Sequence, residues 1–265
     1  MGGLGNQLFQ IFMSMAYAME HGHTFGFLNQ EKLGNRYTAW NTLLKSLKPY
    51  LFQSYPTNIV VRKESSFSYT RFPPILNNSV CFFGYFQSEK YFKSFYNEIY
   101  HMLEMDKRKT EMKAKLAESV CPTISMHFRI GDYKPIQAYH PLLTIDYYRH
   151  ALSHIQSNTE DTFFQVIYFC EEADMEDVSK IIHPLKIEFP AYEFVRCSSS
   201  FADWEQMLYM SLCSHHIIAN STFSWWGAYF NNSTEKIVCY PSVWFGPDAS
   251  HLNVQDLCPP EWVKI

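Results

Sequence analysis

The chain has 265 residues, with 22 Lys+Arg against 26 Asp+Glu and a formal net charge of −4. At 47% apolar and 18% charged residues it has the composition of a packed protein, which excludes a disordered or collagenous chain; its length suits one large domain or two small ones. The mild acidity excludes nucleic acid as the main partner, because a phosphate backbone needs a basic face, and leaves open a local basic pocket around one small phosphate.

The opening residues Gly2-Gly3-Leu4-Gly5-Asn6-Gln7 read as a glycine-rich loop whose backbone, at Gly5 and Asn6, can approach a ligand closely. It matches neither GxGxxG nor a phosphate loop ending in Gly-Lys-Ser/Thr. Loops of this kind follow a strand, so a short apolar strand ahead of Met1 is expected. The spacing of Leu8, Phe9, Phe12, Met15, Ala16 and Met19 predicts a helix over 8–20, stopped at Gly22. Residues 25–28 and 58–61 predict short strands, 40–51 a helix ended near Pro49, 80–85 a strand, and 91–105 and 107–118 helices.

The pattern changes at 118–122, where a domain boundary is expected. Beyond it come a strand at 123–129 ending in Gly131-Asp132, a helix at 145–156, and a strand at 163–170 ending in Glu171-Glu172. A helix at 173–182, a short strand at 194–195, a helix at 204–213, a strand at 216–219, a helix at 224–230 and a strand at 236–240 follow. This alternation predicts a parallel α/β layer with helices on both faces. No apolar run reaches the roughly 18 residues of a membrane span, and no charged-then-apolar leader is seen. Seven Cys without CxxC spacing read as free thiols of a reducing compartment. His127, His140, His215 and His216 form no HExxH pattern, so no metal is expected.

In parallel sheets ligands bind beyond the carboxyl ends of strands. Three polar clusters fall there: His127 to Asp132, Cys170-Glu171-Glu172, and Asn220-Ser221-Thr222. Arg129 in an apolar strand needs an anionic partner, either a phosphate or carboxylate ligand or an internal ion pair with Asp132. His127 shares its face, as a ligand group or as a satisfied core residue. Asn220, Ser221 and Thr222 either form an anion site at a helix start or simply cap that helix. The adjacent Trp225-Trp226 reads as packing.

These residues resemble a known family. Gly2-Gly3-Leu4-Gly5-Asn6-Gln7-Leu8-Phe9-Gln10, Gly84-Tyr85-Phe86-Gln87-Ser88-Glu89-Lys90-Tyr91-Phe92, His127-Phe128-Arg129-Ile130-Gly131-Asp132-Tyr133, and the stretch from Ile217 through Asn220-Ser221-Thr222-Phe223-Ser224-Trp225-Trp226 to Tyr229 are similar, in order, to four motifs of the α-1,2-fucosyltransferases, glycosyltransferase family 11. The resemblance implies a GT-B-like fold, two Rossmann-like domains facing across a cleft. Residues 1–120 would form the acceptor-side α/β domain, and residues 121–265 the GDP-fucose-binding domain. It implies inverting transfer of fucose from GDP-β-L-fucose to the 2-hydroxyl of a terminal galactose, without a metal or any cofactor besides the donor. Arg129 would hold the donor β-phosphate, helped by the backbone near Asn6 and by Ser221 and Thr222. Asp132 is the candidate base or the orienter of Arg129. Glu171 or Glu172 would accept from guanine amines or lie solvated at a helix start.

The chain departs from the family in having Ile130 in place of a second Arg, and Cys170-Glu171-Glu172 in place of Ser-Asp-Asp. A protein O-fucosyltransferase and a non-catalytic glycan-binding relative are the alternatives. Glycosylation sequons begin at Asn77, Asn220, Asn231 and Asn232. A glycan on Asn220 would block the donor loop, so a cytoplasmic setting is expected; an anchor ahead of Met1 would instead place the chain in the Golgi.

Overall fold

The computed structural model describes residues 2–34, 36–76 and 78–265. The backbone divides into two compact units, Met1–Arg108 with Leu252–Pro259, and Lys109–His251 with Pro260–Ile265.

The first unit opens on helix α1 (Leu4–His21), which buries Leu8, Phe9, Phe12 and Met15 and stops at Gly22. It begins four residues before the expected start, so the opening loop shrinks to Gly2-Gly3, and Gly5 and Asn6 lie in the first helical turn. Hydrogen bonds explain the shift: Gln7 N–H donates to Gly3 O at 3.0 Å, and the Gln7 side-chain amide reaches back to Tyr37 O at 2.9 Å. After β1 (Phe27–Leu28), a short antiparallel pair forms from β2 (Lys32–Leu33) and β3 (Arg36–Tyr37). The helix expected at 40–51 is a 3-10 helix, Lys45–Tyr50, because Pro49 supplies no N–H. It leads into β4 (Leu51–Phe52), which runs parallel to β1. β5 (Ile59–Lys63) and β6 (Ser79–Phe83) form a second parallel pair. The single helix expected at 91–105 is broken into 3-10 turns at Glu89–Tyr91 and Lys93–Phe95 and helix α2 (Tyr96–Met102). Glu104, at φ 53°, then separates α2 from α3 (Met105–Lys113).

The second unit is α/β and Rossmann-like. Its elements alternate: β7 (Thr123–His127), α4 (Ile145–Ser157), β8 (Phe164–Phe169), α5 (Met175–Glu188), β9 (Tyr192–Arg196), α6 (Asp203–Leu212), β10 (His215–Ile217), α7 (Thr222–Tyr229), β11 (Val238–Tyr240) and β12 (Val263–Lys264). The sheet order is β12-β11-β10-β7-β8-β9, parallel throughout. β12 escapes the sequence pattern because two residues carry no periodicity. The order reverses between β7 and β10: β8 and β9 extend one way from β7, and β10 to β12 the other. That reversal makes the β7/β10 edge the topological switch point, the place where open parallel sheets bind ligands.

Inside the sheet, Ile124 and Met126 of β7, Val166 of β8 and Ile217 of β10 are buried with Tyr148, Ala151 and Leu152 of α4. Trp225 and Trp226 are fully buried; Trp225 stacks on Tyr229 at 4.6 Å and packs against Trp262 at 5.3 Å, so the pair serves packing. All seven cysteines are free, and Cys197, Cys213 and Cys239 are buried.

One polar network crosses this core. The His216 ring is fully buried, with Nδ1 2.8 Å from Ser125 Oγ and Nε2 2.9 Å from Asn231 Nδ2. An amide nitrogen can only donate, so Nε2 accepts and the neutral ring carries its proton on Nδ1, donating to Ser125. His216→Leu strands the Ser125 hydroxyl and is expected to cost about 1–3 kcal/mol of stability in urea melts. Adding Ser125→Ala should recover part of that loss. A His216→Leu chain as stable as the parent would dismiss the network as a stabilising element.

Candidate active site at the carboxyl ends of β7, β8 and β10

Beyond His127 the chain leaves β7 but stays in register for one more bond, Phe128 N–H to Phe169 O at 2.8 Å. Phe128 turns into the core against Tyr148, with ring centroids 4.4 Å apart, and the alternation of the extended chain turns Arg129 outward. Both arms of the Arg129 fork have a partner: Nη1 donates to Glu171 Oε1 at 2.8 Å and Nη2 to Asp132 Oδ2 at 2.5 Å. Its guanidinium also lies 5.7 Å from the Tyr133 ring centre. Burial works against this charge, but Asp132 and then Glu171 outweigh it and hold the guanidinium above its ordinary range. The side chain remains 23% exposed, so an anion from solvent can reach it. The internal ion pair is therefore present, and it leaves the fork accessible.

His127 is buried and shares a 2.9 Å hydrogen bond between Nδ1 and Ser224 Oγ, which ties β7 to α7. Burial, reinforced by the Arg129 charge, lowers its pKa to about 3, so the ring is neutral at pH 7. Ser221 caps α7, its Oγ accepting from Phe223 N–H at 3.3 Å, and Thr222 is the first residue of that helix. The capping oxygen uses a lone pair, which leaves the Ser221 O–H free to donate.

Asn220 is 1% exposed and ties two loops together, its Nδ2 donating to Pro141 O at 3.0 Å and Trp244 O at 3.2 Å. Its Oδ1 has no partner in the structure. An amide so enclosed takes no glycan, which removes Asn220 as a sequon in the folded chain. The sequon at Asn77 lies outside the described residues.

The fold thus gathers His127, Arg129, Asp132, Glu171, Asn220, Ser221 and Thr222 around the switch point. Glu172 turns away from Arg129 and pairs with Arg196 Nη2 at the end of β9, 2.5 Å away. Gly5 and Asn6 belong to the first unit, where Asn6 Oδ1 accepts from Gln87 Nε2 at 3.0 Å. No cluster of three His, Cys, Asp or Glu side chains placed to hold a metal ion occurs among the described residues.

Three contributors escaped the sequence reading. Asp174 is 2% exposed and accepts from Gly131 N–H at 2.9 Å, which clamps the turn after Arg129. A Cβ on Gly131 would stand 3.3 Å from that carboxylate, closer than side chains ordinarily pack. Tyr133 stacks on His140, with centroids 4.5 Å apart and planes 11° from parallel, and donates to Asn220 O at 3.0 Å. Arg196 is the last residue of a five-residue strand whose burial pattern is only partly alternating. Nothing in the sequence marks Asp174 as buried; only tertiary packing encloses it.

Residues 62–265, well over half of the chain, match the model of glycosyl transferase family 11. The chain belongs to this family. Curated relatives of the family 11 chain include an Escherichia coli α-1,2-colitosyltransferase, 28% identical over all of this chain and 96% of that protein. They also include the E. coli O-antigen biosynthesis glycosyltransferase WbnK, 26% identical over 84% of this chain and 76% of that protein. The family match contains three of the four motif blocks; the block at 2–10 precedes it. As a family 11 glycosyltransferase the chain uses a nucleotide-sugar donor and a glycan acceptor. No helix among the described residues is long and apolar enough to cross a membrane.

The buried histidines set a pH limit. The folded state holds His127 near a pKa of about 3 and His216 well below its ordinary 6.5, while the unfolded chain titrates near 6.5. The unfolded state then binds more protons, so stability is complete above pH 6.5 and falls as pH drops toward 5. Each ring contributes a slope approaching about 1.4 kcal/mol per pH unit. Urea midpoints measured from pH 8 to 5 should show this fall, and His127→Gln should make it shallower. An identical slope in the variant would contradict a neutral, buried His127.

Proposed function

We propose that the chain is a galactoside α-1,2-fucosyltransferase that moves fucose from GDP-β-L-fucose to the 2-hydroxyl of a terminal galactose with inversion at C1. The observation that carries this reading is the Arg129 fork, charged, partly exposed, and held between two carboxylates at the switch point of a Rossmann-like sheet. In this reading the units work as a GT-B-like pair facing across a cleft, residues 1–120 on the acceptor side and 121–265 on the donor side. The metal-free expectation and a cytoplasmic setting belong to the same reading; seven free thiols suit a reducing compartment.

The chemistry follows from charge. As the bond from fucose C1 to the β-phosphate oxygen breaks, the sugar ring becomes positive and GDP takes the electron pair. Arg129 stabilises that diphosphate with two charge-assisted bonds, and the Ser221 and Thr222 hydroxyls and the backbone near Asn6 share the negative charge. The acceptor 2-hydroxyl bonds to C1 and passes its proton to Asp132, the candidate base. Donor binding releases Glu171 from Arg129, and Glu171 then accepts from the guanine amines; Glu172 is the other candidate for that contact. His127, kept neutral, anchors α7 rather than moving protons.

A second reading has its own support, in the relative named α-1,2-colitosyltransferase that aligns over the full chain. It keeps the linkage and the site and changes the sugar. A panel pairing GDP-fucose and GDP-colitose with galactosides and with Ser/Thr peptides separates the readings, and NMR of the product gives the linkage. Fucosylated galactoside in α-1,2 linkage is the expected product. Transfer to peptide, transfer of colitose alone, or no transfer would each overturn the first reading.

The site makes a sharper demand on Arg129. Losing such a preorganised charge costs about 3–4 kcal/mol, so Arg129→Ala should lower kcat by about 100- to 1000-fold and weaken GDP binding. Arg129→Lys should recover little, because a point charge replaces a fork. Wild-type-like turnover by either variant sinks the assignment. Turnover of the unaltered enzyme should persist in excess EDTA; loss in EDTA with recovery on adding manganese would contradict the metal-free scheme.

A further inference from the structure

The loops after β7 and β11, both in the second unit, carry the aromatic pairs Tyr139-His140 and Trp244-Phe245. Backbone bonds lock the two loops together. Gly246 N–H donates to Tyr139 O at 2.8 Å, and Asp248 N–H to Ala138 O at 2.9 Å. Asn220, after β10, ties the same loops through Pro141 O and Trp244 O. The close approach requires a glycine: a Cβ on Gly246 would stand 2.4 Å from Ala138 O. Trp244 is buried, which leaves Phe245, half-buried, and Tyr139, 39% exposed, as the accessible rings of the joined loops. Their centroids are 5.9 Å apart, and the His140 ring lies 4.8 Å from Tyr139 and 5.5 Å from Phe245.

We propose that Tyr139 and Phe245 form a sugar-stacking site on the second unit, which takes the apolar face of a neutral pyranose of the acceptor glycan. The inference deepens the transferase reading above and rests on it for the placing of the donor.

Position, charge and extent favour that ligand. In the sheet order β11-β10-β7-β8, Glu171 lies on the β8 side of Arg129, whereas the two rings sit on loops that meet on the β10 and β11 side. With guanine at Glu171 and the diphosphate on Arg129, the sugar end of the donor and the acceptor beyond it run toward the rings. Ring contacts mark the route: Arg129 to Tyr133 at 5.7 Å, Tyr133 to His140 at 4.5 Å, and His140 to Tyr139 at 4.8 Å. Each step is comparable to the span of one sugar ring, so the accessible pair lies beyond the transferred fucose, at the reach of the acceptor. Aromatic faces are the negative side of a quadrupole and complement the C–H face of a pyranose. Burial lowers the His140 pKa below its ordinary 6.5, so that ring adds no charge at pH 7. Lys134, the only Lys or Arg in residues 130–141 and 241–249, is paired with Asp177, so the surface favours a neutral ligand over an anion. Two rings are too little for a protein partner, which covers about 20–30 residues a side.

The test uses lactose as acceptor. Tyr139→Ala and Phe245→Ala should each raise the lactose KM about fivefold to tenfold, the scale of one lost ring contact, and leave the donor KM and GDP affinity within about twofold. Tyr139→Phe keeps the ring and should keep the parental KM. Saturation-transfer NMR with lactose and GDP reads the same contact without turnover: the lactose signal of the parent should weaken in both alanine variants and persist in Tyr139→Phe. A parent that gives this signal but no transfer from GDP-fucose would support the site while overturning the donor reading. Unchanged lactose KM and signal in both alanine variants would overturn the proposal. So would a matching rise in donor KM, which would assign the rings to the sugar nucleotide, or a parent with no lactose signal.

Discussion

Parallel pairing of β7 with both β8 and β10 is the constraint on which the second unit depends. A parallel strand must be regained by a crossover, so each strand from β7 to β10 is followed by a helix, and each delivers its next loop to the same edge. At β7 the strand order reverses and neighbouring loops diverge. Arg129 after β7, Glu171 after β8 and Asn220 after β10 therefore meet, although 91 residues of chain separate the first from the last. The meeting of these loops is a consequence of winding direction, and the sequence supplies their chemistry.

The charge at its centre is held under tension. A guanidinium partly removed from water needs anionic partners, and Asp132 and Glu171 provide them. Both carboxylates are more exposed than the arginine, so water screens them. The arrangement keeps the fork charged, oriented and partly exposed. Asp174 contributes by a different route: buried, bonded to Gly131 N–H, it fixes the turn that carries Asp132.

The buried histidines of this unit serve the opposite purpose. His127 and His216 are enclosed, neutral and hydrogen-bonded to hydroxyls, which binds β7 to α7 and to β10 without adding charge. Their neutrality follows from desolvation, aided at His127 by Arg129 and at His216 by Lys236. Neutral buried struts thus stand beside one partly exposed set of charges.

The sequence by itself determined the α/β alternation from residue 122 to residue 240, because strand and helix periods differ and most apolar runs were long enough to show their period, the two-residue β12 excepted. It also determined the family, through motif blocks whose order and content are local properties of the chain, and it picked out Arg129, since an arginine in an apolar strand demands an anion. Only the tertiary structure decided which candidates meet. It gave Glu171 to Arg129 and Glu172 to Arg196, buried Asp174, made Asn220 a loop tie rather than an open amide, and drew Gly5 and Asn6 into α1. Adjacent carboxylates such as Glu171 and Glu172 are indistinguishable in a string of residues. Backbone alternation and the positions of Arg129 and Arg196 on different strands separate them, and those distances exist only once the sheet has formed.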